Sequence, residues 1–538
     1  MNKLSNQLLA ILIASAAPAC ALDDADSVTT GTARSAVTAR EPSRGHGLPP
    51  IRSGTYPAGH GSPQHGGGVT SGTWTTVATT PNIAAGFSIL LTDGSVMVQD
   101  LTNGGGDWWK LAPNSSGSYA SGTWTQLPSM PAGYAPLYFA SAVLPDGRVV
   151  FMGGEYQSFQ PAWTTQGAIY DPVANSWTPL AAPAGWVTVG DAQSIVLADG
   201  RYLLANCCTT DMAVLDPVTL TWSTITSAGK ADIFDEEGWT LLPNGTVLTV
   251  DSNNLAVPTN SEIYTPPDAH HAGGWASGSA TNVVIADTAS WEVGPAMIRP
   301  DGTVFQSGAT GHTAIYDIRH QSWHPGPDYP TIDGEGQLDQ ADGPAALLPN
   351  GHVLVAASAG LFNTPAHFIE FDGTSLTEVA APADSLYDSS YNINFLLLPT
   401  GEVLETDFSG DIELYTQATG ASCQAGGSPA PEIDSLPATL VRGRTYTFSG
   451  RQLHGISAGV SYGDDAQAAT DYPIVRIRNR ATGHVQYGRT HGFSNFSIAR
   501  GAHSSALLDI PAALESGASD LVVIANGTAS EPTRVRIK

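Results

Sequence analysis

The chain has 538 residues, with 22 Lys and Arg against 49 Asp and Glu for a net charge of -27, and 42% of its residues are hydrophobic. That length and apolar content allow two or three domains with sizeable cores and exclude a disordered chain. The negative charge repels nucleic-acid phosphates and acidic membrane surfaces, which leaves neutral, cationic or metal-bridged partners.

Lys3, the apolar run Leu8 to Ala17 and the small residues Ala17-Pro18-Ala19-Cys20 have the plan of a secretory signal peptide over residues 1–21. The expectation is export, either as a free secreted protein or into a cell envelope. Cys20 offers lipidation as the first residue of a bacterial lipoprotein, although Ala17 stands where leucine is usual. Such an anchor would be the route to a membrane, since no later segment has the ~20 continuous apolar residues of a span. Apart from Cys20 there are the adjacent Cys207-Cys208 and Cys423, too few for a disulfide scaffold. Packed thiols, a bridge from one of the pair to Cys423 and a bridge between neighbours are all open, the last needing a distorted peptide link. Residues 22–70 are rich in Gly, Pro, Ser and His without an apolar period of 2 or 3.6, and read as a linker. His46, His60 and His65 within it read as solvated.

From residue 71 the chain repeats itself. An apolar strand, an Asp-Gly or Asn-Gly turn and a second apolar strand recur, as in SILLTDGSVMV, TLLPNGTVLTV and LLLPTGEVLET. The turn residues are Asp93, Asp146, Asp199, Asn244, Asp301, Asn350 and Thr400, so the spacings are 53, 53, 45, 57, 49 and 50. Seven hairpins at a period near 50 are the signature of a kelch-type β-propeller, predicted over 71–420. The second half of the unit recurs as well, in AIYDPVANSWTPL and its relatives, with Trp177, Trp222, Trp275 and Trp323 on an outer strand. The last unit lacks that strand, and an orphan GTWTTVA precedes the first. The N-terminal strand is therefore expected to complete the last blade and close the ring, removing free sheet edges. After a linker at 421–431, alternating strands such as TYTFSG and DLVVIAN predict an immunoglobulin-like β-sandwich at 432–538.

In a propeller the first strand of each blade lines the channel and begins at the rim opposite the turns. Eight places before the turn residues stand Ala85, Tyr138, Asp191, Glu236, Val293, Asp342 and Asn392. Asp235, Glu292 and Tyr391 precede their counterparts by one place, and Glu237 follows by one. The rim is acidic over four consecutive units. Converging carboxylates repel, so they are protonated, paired, or neutralised by a bound cation such as Ca²⁺, which takes oxygen ligands. Two carboxylates of separated pKa would also serve acid/base chemistry. No His-Glu-x-x-His, phosphate-binding glycine loop or EF-hand pattern is present.

The LPDGRV turns, LYFASAVLPDG, SSYNINFLLLPTG and GRTHGFSNFS resemble the galactose oxidase and glyoxal oxidase superfamily of copper-radical enzymes over residues 71–538. The resemblance implies a kelch propeller, a C-terminal sandwich, and a loop from that sandwich carrying a copper histidine, here His491, into the channel. It also implies an axial tyrosine at Tyr391. The family's second copper histidine falls at Asn392, and its radical tyrosine falls at Asp191, while Tyr138 occupies the unit that supplies the cross-linking cysteine. These departures count against copper, because Cu(II) favours imidazole and phenolate donors whereas this set is harder and more acidic.

Two readings stay open on the sequence. In the first, a monomeric exported propeller binds a small molecule or an extracellular glycan at its acidic mouth, with Ca²⁺ or another divalent cation. Tyr138, Asp191, Glu236, Asp342, Tyr391, Asn392 and His491 are then binding groups, and Asp191, Tyr391 and His491 the metal ligands. Loop tryptophans and tyrosines would suit sugar faces. In the second, the same scaffold carries a metal-dependent oxidoreductase or a carbohydrate-active hydrolase or lyase. Fold alone cannot choose between binding and catalysis.

Overall fold

The computed structural model describes residues 72–418 and 429–538. The signal segment 1–21 with Cys20, the linker 22–70 with His46, His60 and His65, most of the linker 421–431, and Cys423 lie outside the described residues.

Each hairpin turn follows from its own residues. The glycines Gly94, Gly147, Gly200, Gly245, Gly302, Gly351 and Gly401 all have φ between 77 and 90°, a region a side chain rarely adopts. Each donates its N–H three residues back, as from Gly147 to Leu144 O at 2.8 Å. In six turns the Asp or Asn side chain accepts the N–H two residues on, as Asp146 Oδ1 does from Arg148 at 3.0 Å. A short acceptor followed by a left-handed glycine thus fixes register in six of the seven repeats.

The turns organise antiparallel meanders. The first unit runs Ala85–Leu90, Val96–Asp100, Asp107–Ala112 and Thr123–Gln126. Similar four-strand meanders begin with Ala140–Val143, Ser194–Val196, Thr240–Leu241, Ala296–Ile298, Ala345–Leu347 and Asn394–Leu397. In the last, the fourth strand is Thr73–Thr76, which pairs with Glu413–Thr416. Inner strands of neighbouring units pack together: Ala85–Leu90 lies beside Asn394–Leu397, and that beside Ala345–Leu347. The protein is all-β, a kelch-type propeller continued by a C-terminal set of strands.

The outer-strand tryptophans do not decorate the mouth. Trp177 pairs with Tyr170, Trp275 with Tyr264 and Trp74 with Tyr415 across the two outer strands of their sheets. The indole N–H then reaches into the preceding unit: Trp177 donates to Pro128 O at 2.7 Å, Trp222 to Ala181 O at 2.8 Å, and Trp74 to Ala380 O at 2.5 Å. Flat rings that fill the inter-sheet space while satisfying their single donor join these blades to the ones before them.

In the C-terminal region Val485–His491 pairs with Ile474–Asn479 through its first half and with His503–Asp509 through its second. A strand that changes partners in this way joins the two ladders of the region, as at the corner of a sandwich. Two features dock it on the propeller. Residues near the turns meet it at one face: Arg489 donates to Asp146 O at 2.6 Å, and Thr490 N–H to Thr92 O at 3.2 Å. The segment around Val460–Ser461 leaves the sandwich and pairs with Ala345–Leu347, an inner strand of the sixth unit. That segment enters the channel.

Candidate functional site

The acidic rim positions converge with groups from the inserted segment. Asp191, Glu236 and Asp342 are joined by Asp235 and Glu292 from neighbouring positions, by Glu155 from the second unit, and by Asp464 and Asp465 from the inserted segment. All eight carboxylates are at most 5% exposed. Carboxylate oxygens of Glu236, Glu292 and Asp342 lie within 4.8 Å of one another. The tip of the segment sits directly on them, since a Cβ at Gly463 would stand 2.8 Å from Asp342 Oδ1. A Cβ at Gly238 would stand 2.4 Å from Gly463 O, so two glycines let the inserted backbone pass this close.

Backbone conformation marks the same positions. Tyr138, Glu236 and Asp342, each eight places before its turn, have φ of 50, 59 and 52°. Non-glycine residues in this region cost on the order of 1 kcal/mol, and such strain persists where surrounding structure enforces it. Three repeats therefore aim their side chains inward by the same local device.

The electrostatics of the cluster are unusual. Burial pushes the carboxyls of Glu155, Glu236, Glu292, Asp464 and Asp465 well above the ordinary range, with neighbouring carboxylates adding to the effect. Asp191 is pushed up to about 7, by burial first, against a hydrogen bond with Cys207 that lowers it. The largest charge effects on these groups come from other carboxylates. Asp191 Oδ1, Glu155 Oε2, Asp464 Oδ2 and Asp465 Oδ1 have no hydrogen-bond partner among the described residues. A buried ionised carboxylate without a counter-ion or donor is strongly disfavoured, so this arrangement calls for protons or a cation.

Tyrosines and thiols border the cluster. Tyr138 lies near Tyr391, Glu155 and Asp465, and the Tyr462 hydroxyl donates to Tyr391 O at 2.6 Å. Burial raises Tyr391 to about 12. Phe362 packs edge-on against Tyr391 with centroids 5.3 Å apart. Cys207 and Cys208 are free, with Sγ atoms 2.7 Å apart, and Cys208 Sγ lies 3.3 Å from Asp235 Oδ1.

Several expected residues fall elsewhere or act otherwise. His491 is not brought to Asp191 and Tyr391. It ends the strand Val485–His491, pairs with Leu507 in the ladder and lies 3.2 Å from Asp509 Oδ2. Its neighbours Arg489 and Thr490 are held on the turn face, and eight residues of strand, about 26 Å of extended chain, separate turns from rim. The loop that enters the channel is the one carrying Asp464-Asp465. Asp464 Oδ1 does accept from Asp465 N–H at 2.8 Å, but its other oxygen faces the cluster. Asn392 lies in the short 3-10 turn Ser390–Asn392, where its Oδ1 accepts from Ser389 N–H at 3.2 Å. Glu237 turns away to Lys230 at 3.0 Å. Glu155 was not foreseen, because it follows a Gly-Gly pair rather than preceding a turn.

These donors do not fit the copper-radical centre that the resemblance implies. The position of the radical tyrosine holds Asp191, the second histidine position holds an asparagine used in a turn, and His491 stands on the turn face. Oxygen donors crowd the channel instead, a set suited to hard cations.

No protein-family model matches the sequence. The chain is similar to the Kelch-like protein terF of Aspergillus terreus, 28% identical over 126 residues, 23% of this chain. The match spans about a quarter of that relative's length. Among solved structures, a fungal alcohol oxidase in complex with copper is 14% identical with a TM-score of 0.48, covering 87% of this chain and all of the other. A catalytically inactive virginiamycin B lyase from Staphylococcus aureus with quinupristin is 9% identical with a TM-score of 0.44, over 64% of this chain and all of the other. The scaffold is a kelch-type β-propeller continued by C-terminal strands.

Proposed function

We propose that the protein is an exported kelch-propeller binding protein whose channel carboxylates hold a divalent cation of the Ca²⁺ class, and that this cation recruits an oxygen-rich ligand such as a glycan. One observation carries the reading. Eight buried carboxylates face one another, and four of their oxygens lack any partner among the described residues. Oxygens on opposite sides of a calcium ion lie about 5 Å apart at Ca–O distances of 2.3–2.6 Å. The Glu236, Glu292 and Asp342 oxygens, within 4.8 Å of one another, are close enough to share one such ion.

Glu236, Glu292 and Asp342 are the ligands assigned to the ion, with Asp191 and Asp464 completing its charge balance. Half-buried aromatics adjoin the same positions: Trp163 against Gly190, Trp291 next to Glu292, and Phe362 on Tyr391. Aromatic faces beside a cation are suited to sugar rings, whose hydroxyls ligate while their C–H faces stack.

Asp191 supports a second reading. A carboxyl with pKa about 7 suits general acid/base catalysis in a hydrolase or lyase. A calcium titration of the metal-stripped protein, followed by glycan capture with and without chelator, separates the two. Binding that needs calcium and releases the glycan unchanged supports the first reading; turnover of the glycan that is lost in Asp191→Asn supports the second.

A further inference from the structure

The seventh unit carries a separate group of carboxylates, away from the channel cluster and unused by the reading above. Asp407, Ser409, Asp411 and Glu413 alternate along one short loop and the strand that follows it. Oxygen side chains at every second position wrap a loop around a calcium ion, because alternate residues face one side of the chain. Asp384 joins them from the segment before Ser385–Tyr387. Oxygens of Asp384, Asp388 and Asp407 lie within 4.8 Å of one another, and so do those of Asp384, Asp411 and Glu413. Asp384 therefore belongs to both triads.

Glu405 supplies an independent indication. It belongs to neither triad and is 2% exposed, yet it faces Asp407, Glu413 and Asp384, and its Oε2 has no partner among the described residues. Asp384 Oδ2, Asp407 Oδ2 and Glu413 Oε2 are likewise buried and meet no donor among the described residues. Ser409 holds the loop in shape, taking Asp407 Oδ1 as acceptor for its N–H at 2.9 Å and donating its hydroxyl to Asp411 Oδ1 at 2.8 Å.

The loop's position gives the group a role. Phe408 N–H donates to Ala85 O at 2.8 Å, and Ala85 N–H to Ser409 O at 2.7 Å. Val77 N–H donates to Ile412 O at 2.8 Å, just beyond the closing strand Thr73–Thr76. The ring is closed by chain segments from opposite ends of the propeller, and both are attached to this loop. We propose that Asp384, Asp407, Asp411 and Glu413 bind a second divalent cation of the Ca²⁺ class, which fixes the closure of the ring.

The test is hydrogen exchange of the full chain, metal-stripped and then given calcium chloride, read at the amides of residues 73–77 and 408–412. If opening of the closure releases the ion, exchange slows about 100-fold at free calcium about 100 times the dissociation constant. Asp411→Asn and Glu413→Gln lose this slowing, while Glu236→Gln in the channel keeps it, so the two sites fail separately. A wild-type chain with no calcium-dependent slowing at these amides overturns the proposal. So does retention of the slowing in both Asp411→Asn and Glu413→Gln. Metal-free stability supplies a further check: the variants relieve repulsion and melt no lower than the metal-free wild type, whereas a loop held only by its hydrogen bonds would melt lower.

Discussion

Replacing Asp191 by Asn removes one charge from the channel while keeping a similar shape. Burial raises this carboxyl from 3.8 to about 7. At 1.36 kcal/mol for each tenfold change in proton affinity, that corresponds to about 4 kcal/mol. The folded pKa lies above the unfolded one, so between about pH 4 and pH 7 the folded protein keeps a proton that the unfolded chain has lost. The contribution of Asp191 to the stability of the metal-free protein therefore falls as pH rises through that window and levels off above it. The Asn variant lacks this part of the slope. Urea unfolding of metal-stripped wild type and Asp191→Asn, from pH 4 to pH 8, measures the difference. The two should agree at low pH, and the variant should be the more stable by up to about 4 kcal/mol at pH 8. Parallel profiles, or a variant less stable than wild type at pH 8, would refute the reasoning.

The raised carboxyls of the site make calcium affinity rise with pH and make binding release protons, which calorimetry in buffers of different ionisation enthalpy detects. Lys230→Met strands the fully buried Glu237 and Glu262, now 3.0 and 2.7 Å from the ammonium, and should cost about 3–5 kcal/mol in thermal or urea unfolding. Burial opposes the charge of Lys230, but these carboxylates and Asp232 outweigh it and hold its pKa above the usual lysine value. His491→Ala should leave calcium affinity of the channel unchanged, because the imidazole lies by Asp509; a tenfold loss would return it to the metal site. Gly238→Ala pushes a methyl against Gly463 O and should weaken channel calcium binding at least tenfold while the repeats stay folded by circular dichroism.

The fold was legible because its signals are local and repeated. Asp-Gly and Asn-Gly turns recur every 45 to 57 residues, and each is set by one short acceptor and one left-handed glycine. The orphan GTWTTVA could be matched to the last unit for the same reason. The site was legible only where the repeat itself supplied it, at Asp191, Glu236 and Asp342, whose positions follow from counting back from a turn. Asp464 and Asp465 come from a non-repeating segment whose path through the channel depends on pairing between Val460–Ser461 and Ala345–Leu347, more than 100 residues apart. No local pattern records such a pairing. His491 misled for the complementary reason: Thr490-His491 keeps a family-like motif, while Arg489 and Thr490 tie the strand to the turns of the first and second units.

The central claim is that the channel carboxylates hold a hard cation. Calorimetric titration of calcium into metal-stripped protein at pH 8, beside the Glu236→Gln, Asp342→Asn double variant, tests it most directly. The account predicts that the double variant loses one equivalent of bound calcium while the equivalent assigned to the seventh unit persists. Equal calcium binding by both proteins, or a wild-type chain that takes up copper stoichiometrically and no calcium at the channel, would contradict it.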